Sequence, residues 1–172
     1  MPSLMEELIT VLDKEEVRYK ELLSLSEKKT PVIIEGNIEK LQKITDEEQV
    51  AVDDIGALDH KRSEIMADIA TVINKDVNTL KLSYLIDMLK ARPKEHDALV
   101  EVNDRLKRTI GSLRMINDQN QVLIRQQLDM IDFNISLNKA MREGPETGDY
   151  TRNAGSAGNV MGDTRSAFDA KQ

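Results

Sequence analysis

The chain has no cysteine and no tryptophan, and it has only two phenylalanines and three tyrosines among 172 residues. Without cysteine there can be no disulfide, no thiolate metal site and no cysteine nucleophile. An aromatic content of 3% disfavours a thick globular core and a large enzyme. The composition instead favours one helical domain rich in charged residues.

Basic clusters and long apolar runs are also missing. The 31 acidic and 24 basic residues give a net charge of −7, which repels nucleic-acid phosphates and anionic lipid. No stretch of 18 apolar residues occurs, so no segment predicts a transmembrane helix. We therefore expect no nucleic-acid partner, no membrane insertion and a cytoplasmic location.

Proline and glycine are sparse before Gly144, so the helical patterns are long. Ser3 and Glu6 form a predicted capping box, Asn37 is a predicted N-cap, and Thr30–Pro31 is expected to end the first helix. The pattern predicts four helices: Ser3 to about Lys29, Asn37 to Ile73, Thr79 to about Ala91, and about Glu95 to Arg142. The short third helix is expected to cap one end of a bundle.

The fourth helix has the most informative periodicity. One apolar stripe, interrupted by two asparagines, follows a helical spacing: Leu99, Val102, Leu106, Ile110, Leu113, Asn117, Asn120, Ile124, Leu128, Ile131 and Ile135. A second row begins at Ile116 and continues with Leu123, Met130 and Leu137, with Met141 added. We interpret this as a helix that meets the second helix alone at first and both hairpin helices afterwards. By helix length it should extend about ten residues past the hairpin, roughly from Phe133 to Arg142.

The composition changes after Arg142. Residues 144–172 hold five of the eight glycines and too few apolar side chains to build a core. The predicted architecture is all-α: an elongated antiparallel bundle of a two-helix hairpin, one long helix and a short capping helix over residues 1–143, followed by a flexible tail over residues 144–172. Tyr150 and Phe168 are the candidate anchors of that tail to a partner.

No residue constellation suggests catalysis. Neither His60 nor His96 has a glutamate three residues earlier, as a di-iron helical bundle requires, and the chain has no nucleophile elbow and no phosphate-binding loop. We expect no enzyme activity, no metal and no cofactor. Arg62 lies on the helix seam, where pairing with a seam carboxylate is plausible. Asn117 and Asn120 admit two interpretations: they fix the helix register, or they bind a partner chain.

Three segments resemble the FlgN-type flagellar export chaperones. The first is Leu-Arg-Met-Ile-Asn-Asp-Gln-Asn-Gln-Val-Leu-Ile at residues 113–124, on the long late helix. The second is Ile-Glu-Gly-Asn-Ile-Glu-Lys-Leu at residues 34–41, and the third is Leu-Asp-His-Lys-Arg at residues 58–62. The resemblance extends over residues 1 to about 140, and the family motif maps onto Asn117, Asn120 and Arg62.

This resemblance implies a cytoplasmic helical chaperone without catalysis. Such a chaperone binds the hook-associated proteins of the hook–filament junction, keeps them unassembled and delivers them to the flagellar export apparatus. The family binds its clients through the C-terminal amphipathic region, which corresponds here to the helix beyond about Leu123. The candidate partner-binding residues are Leu123, Leu128, Met130, Ile131, Phe133, Ile135, Leu137 and Met141.

Two alternatives remain open at this point. The second row of the fourth helix could be the seam of a homodimeric coiled-coil spacer. The chain could also be a chaperone of another secretion system, because helical secretion chaperones use the same kind of apolar surface.

Overall fold

The computed structural model describes residues 3–144 and shows an all-α architecture. Its elements are α1 (Leu4–Glu35), α2 (Ile38–Val72), α3 (Leu82–Met88) with a following 3₁₀ turn (Leu89–Ala91), and α4 (Pro93–Glu143). The predicted fold class, a two-helix hairpin with one long and one short helix, is confirmed. By compactness the chain divides into Met1–Ile135 and Ser136–Gln172, and only the last turns of α4 in the second unit are described.

Both predicted N-caps are present. Ser3 Oγ accepts a hydrogen bond from the Glu6 backbone N–H at 3.2 Å, and Glu6 Oε2 accepts one from the Ser3 N–H at 3.0 Å. Asn37 Oδ1 accepts from the Lys40 backbone N–H at 3.0 Å. These side chains satisfy backbone donors that have no partner within the first helical turn, and they fix where α1 and α2 begin.

The predicted end of α1 near Lys29 is wrong, because α1 continues through Pro31 to Glu35. A proline inside a helix removes one backbone donor, and burial of Ile33 beyond it favours continuation of the helix. The helix ends at Gly36, whose φ of 73° is left-handed. The Gly36 N–H donates to the Ile33 carbonyl at 3.1 Å, and the Asn37 N–H donates to the Val32 carbonyl at 3.3 Å. This is a Schellman ending, which turns the chain into α2.

Gly36→Ala is expected to lower the free energy of unfolding by about 1 kcal/mol, because alanine disfavours a positive φ. A Cβ at this position would contact nothing within 4 Å, so the whole cost is conformational. Gly56→Ala is the matched control. Gly56 lies inside α2 with the same open surroundings, and this change is expected to stabilise by about 0.5–1 kcal/mol. Urea unfolding measures both, and equal signs would contradict the assignment of Gly36 as the conformational turn.

One cluster of buried side chains joins all four helices at the end where α3 lies. It consists of Leu8, Val11, Leu12, Ile65, Ile69, Leu85, Leu89, Leu99, Val102 and Leu106. Leu85 and Leu89 belong to α3 and its 3₁₀ turn, so the short helix caps the core as predicted. It begins at Leu82 rather than Thr79, because the Thr79 N–H and hydroxyl both donate to the Asp76 carbonyl in a preceding turn.

The expected neighbours of α4 need correction. Leu99 and Val102, in its first turns, already share the core cluster with residues of α1 and of α2, so α4 does not meet α2 alone at first. In the second apolar row Ile116 and Leu123 are half-buried but Met130 is exposed, so no second neighbour covers the row at Met130. The reason is that α4 runs parallel to α1 and begins level with the first residues of α1. Both hairpin helices therefore lie beside α4 from its first turns.

A constant register relates α4 to α1. Six side-chain contacts among the described residues join them, with sequence separations between 89 and 94: Arg105 with Asp13 and Glu16, Thr109 with Glu16, Asn120 with Ser26 and Thr30, and Gln127 with Ile34. A nearly constant separation indicates two parallel helices that advance together. At this register Glu35, the last residue of α1, is level with about residue 128 of α4. Residues 128–135 therefore continue past the end of the hairpin.

Candidate partner-binding surface

The apolar residues of one stripe of α4 are buried or half-buried up to Ile124 and exposed from Leu128 onward. Leu99, Val102, Leu106 and Leu113 are buried, and Asn120 on this stripe is only 4% exposed. Leu128, Ile131 and Ile135 continue the stripe at helical spacing, yet about half of each side chain is exposed. The sequence pattern that builds the core thus persists where the hairpin has ended.

Five exposed apolar residues of α4 in the unit Met1–Ile135 define the distal face. They are Leu128, Met130, Ile131, Phe133 and Ile135, with exposed fractions between 49% and 65%. Along the stripe, apolar exposure begins at Leu128, more than a turn before the predicted Phe133, because α1 ends level with residue 128. At 100° per residue, Leu128, Ile131 and Ile135 lie on one side of the helix and Met130 and Phe133 on another, so apolar exposure extends around much of this segment, as is typical of an interaction site.

The other predicted partner-binding residues differ in their surroundings. Leu123, nearer the core, is half-buried. In the last turns of α4, which belong to the unit Ser136–Gln172, Leu137 and Met141 are exposed. Tyr150 and Phe168, with the predicted tail, lie outside the described residues.

The two asparagines of the motif have different environments. Asn120 Nδ2 donates to the Ser26 carbonyl at 2.9 Å, and Asn120 Oδ1 accepts from the Thr30 hydroxyl at 2.7 Å. These bonds join α4 to α1 and support the interpretation that Asn120 fixes the helix register. Asn117 is exposed, although it lies on the same stripe.

A partly buried ion pair joins α1 and α2 at Arg62, the other motif residue. Arg62 Nη1 lies 3.1 Å from Glu15 Oε2, and its Nη2 contacts Asp59, so the expected pairing of Arg62 with a seam carboxylate is found. Glu15 is only 1% exposed, and its Oε1 has no hydrogen-bond partner among the described residues. Burial raises the pKa of Glu15; Arg62 opposes that rise and Asp59 adds to it. The raised pKa of Glu15 follows from its burial between packed helices.

Glu15→Gln tests this electrostatic account. Because the folded-state pKa lies above the ordinary 4.5, the folded chain binds the Glu15 proton more tightly than the unfolded chain does. The bound proton therefore stabilises the folded chain fully below about pH 4.5, the ordinary pKa. This stabilisation is lost as the pH rises through the folded-state pKa of Glu15. At pH 7 we expect the free energy of unfolding of the variant to lie within about 1 kcal/mol of the wild-type value, because glutamine removes both the desolvation cost and the Arg62 ion pair.

Lowering the pH should then favour the wild type over Glu15→Gln progressively, as measured by urea unfolding from pH 7 to pH 4. Glu27→Gln, at an exposed position of α1, serves as the control and should show little change in its difference from the wild type over this range. A stability difference for Glu15→Gln that is independent of pH would contradict a raised pKa.

Sequence reasoning placed Glu48 on the seam of α2 but did not name the partners in several polar contacts that hold α4 and α2 on α1. Ser26 Oγ donates to Glu48 at 3.2 Å, and Lys29 Nζ lies 2.8 Å from the same carboxylate. Gln127 Nε2 donates to the Ile34 carbonyl at 3.2 Å. The one available signal for Gln127 was its spacing, seven residues after Asn120, which places both amides on one row of the helix.

The comparison with protein families decides what kind of chain this is. The family model described as FlgN protein matches residues 1–157, which include the hairpin, the Asn120 motif and the distal face. The chain belongs to the FlgN family. Comparisons with curated proteins and with solved structures gave no significant match.

FlgN proteins are flagellar export chaperones that bind flagellar export substrates, so the predicted resemblance is confirmed. Across residues 3–144 of this FlgN chain, no helix is both long enough and apolar enough to span a bilayer. In the same residues, histidine, aspartate and glutamate side chains form no group of three that could hold a metal ion. The exposed apolar face of α4 is therefore the feature that a chaperone function has to explain.

Proposed function

We propose that this FlgN chain is a cytoplasmic chaperone for the hook-associated proteins of the hook–filament junction. It binds them through the C-terminal half of α4, prevents their premature assembly and delivers them to the flagellar export apparatus. The binding residues are those of the distal face together with Leu123, Leu137 and Met141.

One observation supports this proposal above the others: the apolar residues of the stripe are buried or half-buried up to Ile124 and exposed from Leu128 onward. An aliphatic stripe on a helix is stable in water when a neighbouring element covers it, and the hairpin no longer does so at this level. A client helix laid along the stripe would bury it as α1 buries the earlier part. Helix-in-groove contacts of this kind use anchors at i, i+3, i+4 and i+7, and Leu128, Ile131 and Ile135 occupy i, i+3 and i+7.

The composition of the face suits a reversible chaperone contact. It combines branched aliphatic side chains with Met130 and Phe133, and methionine adapts to apolar partners of different shape. An unassembled client whose own amphipathic helix is exposed would aggregate, and covering that helix prevents the aggregation. Release then requires only the separation of two surfaces, without unfolding of the chaperone core.

The test uses the full-length chain and a purified hook–filament junction protein, with isothermal titration calorimetry for affinity and light scattering for stoichiometry. We expect a defined complex and suppression of client aggregation. A soluble helical protein unrelated to flagella is the control and should give no heat of binding. A tight homodimer that persists on dilution, whose seam includes Ile135 and Leu137 and which does not bind the client, would instead support the coiled-coil spacer.

A further inference from the structure

A row of side-chain amides runs along α4 beside the apolar stripe. Asn120, Gln127 and Asn134 are spaced by seven residues, which is close to two helical turns, so they lie on one row. The first two donate to main-chain carbonyls of α1: Asn120 Nδ2 to Ser26 at 2.9 Å and Gln127 Nε2 to Ile34 at 3.2 Å. Two successive members of the row therefore make the same kind of contact with the same neighbouring helix.

The third member has lost its partner helix. At the register of the first two contacts, α1 has already ended when α4 reaches Asn134, which lies about 9 Å beyond the level of Glu35. Asn134 is exposed, and it is flanked along the helix by the exposed Ile131 and Ile135. The apolar stripe and the amide row thus both continue, in their original spacing, past the point where α1 stops.

We infer that the distal face accepts a client α-helix in the position that α1 would occupy if it continued, and that Asn134 donates to a main-chain carbonyl of that helix. This rests on the proposed function and names the partner's secondary structure and a specific contact within it. A main-chain carbonyl in a helix has a second lone pair free for such a bond, as the Ser26 carbonyl shows. Because this hydrogen bond is made to the client's main chain, it can form with clients whose side chains differ.

The choice of occupant follows from continuity with the α1–α4 interface. The elements that hold α1, aliphatic residues with an amide donor every seven residues, are repeated in the distal face without a change of spacing. They match a helix that runs along α4, with its end abutting the hairpin turn at Gly36. A flat sheet edge or an extended peptide would not meet both rows at helical spacing.

Asn134→Asp is the decisive substitution, because it keeps the shape of the side chain but replaces its donor by an acceptor. Titrated with the purified junction protein, this variant should bind at least about tenfold more weakly than the wild type. Asn134→Gln keeps the donor and should bind within about threefold of the wild type. Gln121→Glu is the matched control, because Gln121 is an exposed amide of α4 that lies off the row, and its affinity should be unchanged.

A second measurement locates the hydrogen bond directly. In ¹⁵N-labelled chain, the Asn134 side-chain amide should exchange slowly with water only when the junction protein is bound. Circular dichroism confirms that each variant is folded. Normal affinity of Asn134→Asp, with binding still lost in Ile135→Glu, would overturn the inference while the proposed function stands. Normal affinity of both variants would overturn the inference and the proposed function together.

The same spectra distinguish the other occupants. Protection of the Asn134 amide in the isolated monomer would assign the distal face to the chain's own residues. Protection that rises with chain concentration, together with a dimer in light scattering, would assign it to a second copy. Either result would overturn the inference of a client helix.

Discussion

Asn120→Asp is expected to lower the free energy of unfolding by about 3 kcal/mol or more, although it only replaces the side-chain NH₂ group by an oxygen. The substituted oxygen would face the Ser26 carbonyl, which now accepts a hydrogen bond from Asn120 Nδ2 at 2.9 Å. A carboxylate at a position only 4% exposed would also lose its hydration, and Glu48 is hydrogen-bonded to the nearby Ser26 hydroxyl. In a chain of this length the loss corresponds to a fall in melting temperature of about 10 °C.

Asn117→Asp is the control for this prediction, because it makes the same change three residues earlier at an exposed position of the same stripe. Its effect on unfolding should stay within about 0.5 kcal/mol. Thermal and urea unfolding compare the two variants, and the cost of Asn120→Asp should shrink at low pH as the new carboxyl is protonated. Similar stabilities of both variants would show that the Asn120 bonds to α1 do not hold the helices in register.

The double variant Ile131→Glu/Ile135→Glu is expected to weaken client binding by about a hundredfold or more while leaving stability within about 0.5 kcal/mol. Both side chains are about half exposed and lie beyond the hairpin, so charges there meet water in the free chain. In the complex the same charges would be buried against an apolar client helix without a partner. Calorimetry measures the affinity, and circular dichroism with thermal unfolding measures the fold.

The double variant Val50→Glu/Val72→Glu is the matched control, because it places the same charges at exposed apolar positions of α2 away from the distal face. It should bind the client with wild-type affinity. Wild-type binding by the Ile131/Ile135 variant would remove the distal face from the client interface. A large loss of helicity in that variant would instead show that these residues belong to the core.

Helix periodicity and capping predicted most of this fold. The Ser3–Glu6 box and the Asn37 cap are local signals, since their partners lie within three residues, and both were found. The end of α1 was missed because Pro31 is a strong local signal that tertiary packing overrides: Ile33 is buried beyond it, and Gly36 ends the helix instead. Sequence alone cannot weigh a lost backbone bond against burial that depends on a neighbouring helix.

The stripe of α4 could be read from the sequence, but its neighbours could not. Apolar spacing shows which side of a helix packs against a neighbour, but it does not show how far along the helix that neighbour extends. The exposed residues Leu128 and Ile131 therefore look the same in sequence as the buried Leu99 and Val102. The parallel register of α1 and α4 supplies the missing information, and its evidence lies in contacts such as Gln127 with Ile34, which join residues 93 positions apart.

The turn at Gly36 has a consequence for how client range can change. Because α1 and α4 advance together, the position of this turn would determine, in the proposed complex, how many turns of α4 a client can reach. Seven residues added to each arm of the hairpin would shorten the client footprint by about two helical turns with no substitution in α4 itself. Most of the hairpin would not contact the client. Its length would nevertheless limit the length of the client helix that α4 can bind.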